Sequence, residues 1–167
     1  MLGARLASLG ADCLAESLDR IETGTMLREE QDAARATVAG KIRAADARLD
    51  PGDPPEAIAR RVRALAPSPG AYFVLEGAEG AGDRLLVLAA DVGSVTPSQA
   101  PGMVLAVDHA RGMEIALERG SLWLSRVKPA GRKEMTGAAY ANGKRLKPGD
   151  RLPLRGAGHP ADRDASS

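Results

Sequence analysis

Apolar residues recur at spacings of three to five from Leu2 through Leu6, Leu9, Leu14, Leu18 and Ile21. That period puts them on one stripe of an amphipathic helix, closed by Gly24 in Thr23-Gly24-Thr25. Gly10 weakens the middle by about 1 kcal/mol relative to alanine, which leaves room for a break or second start near Gly10-Ala11-Asp12. Little in the following sequence is suited to cover the stripe, so a partner surface is expected to be missing. Residues 25–53 hold neither period and carry mixed charge, which reads as an extended linker arm. Asp53-Pro54-Pro55-Glu56 opens a second helix, with Asp53 as N-cap and proline just inside. Ile58, Val62 and Leu65 form its buried stripe, and Pro67 stops it.

From Pro69 the texture changes to short β runs with glycine punctuation. Tyr72–Leu75, Leu85–Ala90, Met103–Val107, Met113–Leu117 and Leu122–Val127 read as five strands. Glycine-bearing turns separate them, at Gly77–Gly82, Gly93–Gly102, Asp108–Gly112 and Arg119-Gly120. A short helical turn over Thr136–Ala141 is expected to stop at Asn142-Gly143. A last short strand, Arg151–Leu154, follows Pro148-Gly149-Asp150. The fold class is therefore mainly β with a helical N-terminal arm, the strands forming a small OB-fold-like antiparallel barrel. The organisation reads as a helix over 1–24, an arm over 25–53, the barrel domain over 54–155 and a disordered tail over 156–167.

Composition narrows the chemistry. The 167 residues include one cysteine and two histidines. These supply neither a disulfide framework nor a clustered zinc site, so no metal is expected. No apolar run approaches the ~18–20 residues of a membrane span, so no membrane partner is expected. Cys13, beside Leu14, is expected to be a packed small hydrophobe. His109 sits in a turn and His159 in the tail, neither with a carboxylate partner. No phosphate-binding glycine loop and no nucleophile elbow appears, and glycines 77, 80 and 82 lie among acidic residues that would repel phosphate. Hence no catalytic residue is assigned.

The net charge of +1 hides a strong asymmetry. Residues 67–120 are acidic, whereas residues 121–155 carry nine basic groups against Glu134 and Asp150, an excess of +7. Such a segment is the footprint of a polyanion-binding surface, with a partnerless solvated face as the alternative. Lys128, Arg132 and Lys133 flank a Pro-Ala-Gly turn, and Lys144, Arg145 and Lys147 follow Asn142-Gly143. If the barrel brings the two turns together, six cations meet a phosphate backbone, and Lys41, Arg43 and Arg48 on the arm extend the track. There are only four aromatics: Tyr72, Phe73, Trp123 and Tyr140. Stacking platforms are therefore scarce. Trp123 is expected to pack rather than stack on a base, and Val127 breaks the strand alternation, suggesting a bulge.

Several segments in order resemble the methionyl-tRNA formyltransferases. Leu9-Gly10-Ala11 through Leu14, Leu18, Ile21, Gly24-Thr25 and Gln31 is similar to the stretch closing their catalytic domain. Thr37-Val38-Ala39-Gly40-Lys41-Ile42 and Asp46-Ala47-Arg48-Leu49-Asp50 resemble their interdomain linker. Val62–Phe73, Ala100-Pro101-Gly102, Val127–Met135 and Pro148-Gly149-Asp150-Arg151-Leu152 resemble their C-terminal domain. Departures are Ala44 where a second lysine is usual, Pro51 in place of an aromatic, and an insertion at Ala78–Gly82.

The resemblance implies the C-terminal tRNA-binding part of such an enzyme, acting in the cytoplasm in translation initiation. The partner it implies is initiator tRNA, held through the phosphate backbone. In the family, a first domain binds 10-formyltetrahydrofolate and carries an Asn–His–Asp set that formylates initiator methionyl-tRNA. Nothing here matches that set. The chain is thus expected to bind no cofactor, to be inactive alone, and to dock a separate catalytic domain. An accessory OB-like domain of a sugar-nucleotide formyltransferase and a non-functional gene fragment are the alternatives.

Overall fold

A computed structural model describes residues 2–76, 84–94 and 99–156. The hairpin turn at 77–82, His159 and, beyond Gly156, the tail lie outside the described residues. The chain divides into two units, Met1–Gly40 and Lys41–Ser167.

In the first unit, α1 (Leu2–Glu22) is one unbroken helix. The break for which Gly10 leaves room does not occur, because one glycine costs less than the nucleation of a second helix. Gly24 takes a φ of 67°, and the Thr25 N–H bonds the Arg20 carbonyl at 2.9 Å. Leu6, Leu9, Leu14, Leu18 and Ile21 are all exposed. Cys13 is exposed too, which corrects the expectation of a packed thiol. The cause is the same for both: among the described side chains of this unit only Ser17 is even half-buried.

The second unit begins inside the stretch read as an arm. A 3-10 turn at Ala44–Ala47 leads to Leu49, fully buried, whose N–H bonds the Tyr72 carbonyl at 2.8 Å. Helix α2 (Pro55–Leu65) buries Ile58, Val62 and Leu65. Its N-cap is Pro54, not Asp53. With prolines at 54 and 55, a cap at Asp53 would find an N–H donor only at Glu56, and the helix opens instead with Ile58 N–H on the Pro54 carbonyl at 3.1 Å. Asp53 instead accepts from Arg61 Nη1 at 3.1 Å.

Among the described residues seven strands follow: β1 (Ala71–Leu75), β2 (Arg84–Val92), β3 (Val104–Asp108), β4 (Gly112–Leu117), β5 (Gly120–Pro129), β6 (Met135–Thr136) and β7 (Leu154–Arg155). They pair antiparallel in the order β3-β4-β5-β2-β1-β7, with β6 on β5. The expected strand Arg151–Leu154 is split. Arg151 bridges Met103, and β7 starts only after Pro153, which has no N–H to donate. The ladder is not a closed ring, but residues 149–154 bond both of its edges. Leu152 N–H reaches the Gly102 carbonyl at 2.8 Å, and Val104 N–H the Asp150 carbonyl at 2.8 Å. On the other edge, Glu76 N–H bonds the Pro153 carbonyl at 2.7 Å. The result is barrel-like and compatible with an OB arrangement.

One face of the strands makes the core. Phe73, Leu85, Val87, Met113, Ile115, Leu122 and Leu124 are fully buried with Ile58 and Val62. Tyr72 points the other way and is half-buried. The anticipated bulge exists. Between Ala89, opposite Arg126, and Ala90, opposite Leu124, the register shifts and Ser125 is left extra. That shift keeps Val127 and Leu124 both inward. Helix α3 (Gly137–Lys144) packs on β3, β4, β5 and β6. A Cβ at Gly137 would run into the Leu124 carbonyl oxygen, so only glycine lets the helix start this close to β5.

Candidate nucleic-acid interface

Two loops carry the cations, and each is shaped by turn chemistry. Arg132 N–H bonds the Pro129 carbonyl at 3.1 Å, with Gly131 at φ 68°. This is a turn whose third position needs positive φ, supplied by glycine. Lys147-Pro148-Gly149-Asp150 repeats the device: Asp150 N–H bonds the Lys147 carbonyl at 2.9 Å and Gly149 has φ 95°. Between them α3 is capped by Thr136, whose Oγ1 accepts from Ala139 N–H at 3.1 Å.

The helix does not stop at Asn142-Gly143 as the glycine suggests. It runs to Lys144 and ends at Arg145, which adopts the left-handed region at φ 58°, ψ 29°. Leu146 N–H bonds the Ala141 carbonyl at 2.8 Å and Arg145 N–H the Asn142 carbonyl at 3.0 Å. These are the two bonds of a Schellman ending, closed by Leu146 packing on the core.

Arg132 from the first loop and Lys144 from the end of α3 line one cleft of about 230 Å³. Arg84, at the start of β2, joins them there. Leu75, Leu85, Met135 and Tyr140 supply its apolar walls. Lys128, Lys133, Arg145 and Lys147 are exposed on the same loops or strand end, but do not line the cleft. Lys41 and Arg43 are also exposed and outside it, whereas Arg48 is half-buried and its Nη2 donates to the Gly156 carbonyl at 2.9 Å. Arg43 lies 3.9 Å from Asp46.

Both acidic groups of the segment are engaged by partners other than these side-chain cations. Arg126 Nη2 donates to Glu134 at 2.6 Å, and Asp150 accepts from Lys147 N–H at 2.7 Å. Among the described residues, no carboxylate lies within 4.0 Å of the side-chain nitrogens of Arg84, Lys128, Arg132, Lys133, Lys144, Arg145 or Lys147. Their charge is therefore available to an outside anion.

Arg84 was not legible as a site residue because it sits in the acidic stretch 67–120. Only strand register places it: Leu85 pairs with Pro129, so the residue before it lies beside the Pro129–Arg132 turn. Its guanidinium carbon is 4.5 Å from the centre of the Tyr72 ring, a cation–π contact that orients it. The same register sets Arg84, Val74 and Arg155 side by side across three strands, and Lys128 next to Leu86 and Tyr72.

Trp123 packs, as expected. It is buried, with the Arg111 guanidinium carbon 4.2 Å from its ring centre. The turn that carries Arg111 is tied by Asp108, whose Oδ1 accepts from Ala110 and Arg111 N–H, each at 2.8 Å. Those bonds hold the Asp108 carboxyl below its ordinary pKa of 3.8. His109 in the same turn is exposed. Among the described residues, no group of three or more His, Cys, Asp or Glu is placed to hold a metal ion, and no helix is long and apolar enough to cross a membrane.

Residues 41–145 match the family described as formyl transferase, C-terminal domain. The chain belongs to that family. As a formyl transferase C-terminal domain it is 42% identical over 146 residues to the methionyl-tRNA formyltransferase of Halorhodospira halophila, covering 87% of this chain and 45% of the relative. It is 39% identical over 158 residues to that of Solibacter usitatus, covering 95% of this chain and 47% of the relative. The chain thus spans about half the length of these relatives. Among solved structures, HypX from Aquifex aeolicus superposes with a TM-score of 0.65 at 22% identity, over 84% of this chain and 24% of HypX. That likeness speaks to the fold alone.

Proposed function

We propose that this domain is the tRNA-binding C-terminal part of a methionyl-tRNA formyltransferase and that it holds initiator tRNA by the phosphate backbone. The observation that carries the reading is the set of exposed cations at 128–133 and 144–147, which meet at Arg132 and Lys144 around one cleft and have no carboxylate within 4.0 Å of their side-chain nitrogens among the described residues, in a domain whose relatives bear that enzyme's name. Lys128, Arg132, Lys133, Lys144, Arg145 and Lys147 are the contacts, with Lys41 and Arg43 extending them and Arg84 added by the geometry. Formyl transfer from 10-formyltetrahydrofolate belongs to the half of the relatives that this chain does not span. The exposed stripe of α1 is the docking face for that half. Phosphate contacts position the RNA without reading its sequence, so selection of the initiator species lies elsewhere.

The test is a titration with tRNA at rising salt. Binding should weaken linearly in log[salt], with a slope of roughly −0.9 or shallower for each phosphate contacted. Binding that ignores salt, or none at low salt, overturns the proposal. A small sugar nucleotide needs no such extended track, which disfavours the accessory domain of a sugar-nucleotide formyltransferase.

A further inference from the structure

We infer that the cleft beside the Pro129–Arg132 turn takes one unpaired nucleotide of the bound RNA. Its phosphate lies among Arg84, Arg132 and Lys144, and its base or ribose lies on the apolar floor. The inference rests on the RNA-binding reading above and deepens it. A duplex backbone is convex and asks only for a cationic surface. This site is concave, and its floor is Leu75, Met135 and Tyr140 rather than further charge. A cationic rim over an apolar floor fits an anion with an attached flat or apolar body, and a nucleotide is that unit in an RNA. At about 230 Å³ the cleft is just below the ~300–1,000 Å³ of small-molecule sites. That suits one residue of a chain better than two.

Arg84 is held in advance. With its guanidinium stacked on Tyr72, it loses less rotamer freedom on binding than an unsupported side chain. The apolar residues of its lining and the oriented Arg84 set this cleft apart from a merely solvated cationic face.

The experiment compares two RNA hairpins by fluorescence anisotropy with the full chain: one fully paired with a tight loop, the other identical but for one bulged adenosine. A base held in the cleft should make the bulged hairpin bind about tenfold tighter. Ala130→Trp, which fills the cleft from an exposed turn and leaves every cation in place, should abolish that preference and leave the paired hairpin unchanged. Ala139→Trp, entering from α3, is the second filler, and circular dichroism checks that each folds.

Equal affinity for the two hairpins, with salt dependence intact, overturns the pocket and leaves the RNA reading standing. So does a preference that survives both fillers. If neither hairpin nor tRNA binds, the RNA reading falls and the pocket with it. Free AMP is expected not to displace the bulged hairpin at concentrations comparable to the protein; displacement there would assign the cleft to a free nucleotide and overturn the inference.

Discussion

Arg145 offers a perturbation whose effects on folding and on binding should have opposite signs. It occupies the left-handed position after α3, φ 58° and ψ 29°, where most proteins place glycine. An L-residue with a Cβ pays about 1–2 kcal/mol there. Replacing it by glycine removes that strain but gives back about 0.4–1 kcal/mol through the freer unfolded chain. Both Schellman bonds are backbone bonds, from Arg145 and Leu146 N–H, and survive the change. The side chain is exposed and makes no ion pair among the described residues, so little else is lost. Arg145→Gly should thus gain about 0.5–1 kcal/mol, or about 2–4 °C in melting temperature for a unit of this size. Urea denaturation measures the first and a thermal scan the second. The same variant should bind tRNA more weakly, with a salt slope shallower by about 0.9. A loss of stability would refute the strain argument. A gain in stability with unchanged affinity and slope would remove Arg145 from the interface.

Other outcomes follow from the packing. Gly137→Ala drives a methyl group into the Leu124 carbonyl oxygen and toward Met113 N. It should cost about 1–3 kcal/mol or more and shift the urea midpoint down. Ser121→Ala removes the hydroxyl that donates to buried Glu114 at 2.7 Å. An expected cost of about 1–3 kcal/mol should show in the same assay. Asp108 has a folded pKa below its usual value, so its contribution is complete above about pH 5 and is lost as pH falls through the depressed pKa. Asp108→Asn should flatten that acid limb, and a carboxyl NMR titration of Asp108 should place its midpoint below 3.8.

The strands were readable because alternation and glycine punctuation both mark a half-buried sheet: Ala71 and Phe73 in β1, and Leu85 and Val87 in β2, are buried two residues apart. Helix ends were less readable. Asp53 is the better capping residue type, yet the two prolines behind it moved the cap to Pro54. Gly143 is the better stop signal, yet α3 runs through it because Leu146 reaches the core only if the turn comes at Arg145. The cationic loops were visible as a charge excess within 35 residues. Arg84 was not, since it is 48 positions from Arg132 and only the β1–β2–β5 register makes them neighbours. Cys13 was misjudged because a helical stripe tells which face seeks cover, not whether cover is there.

Residues 149–154 stitch both margins of the sheet at once, through Gly102 and Val104 on one side and Glu76 on the other. Synthesis runs from the amino end, so a growing chain carries β1 and β3 with bare hydrogen-bonding margins until this late stitch arrives. A message or protease cut that ends the polypeptide before Gly149 would leave those margins permanently open to other strands. Such a shortened product would be prone to self-association, a hazard far beyond the loss of one short strand.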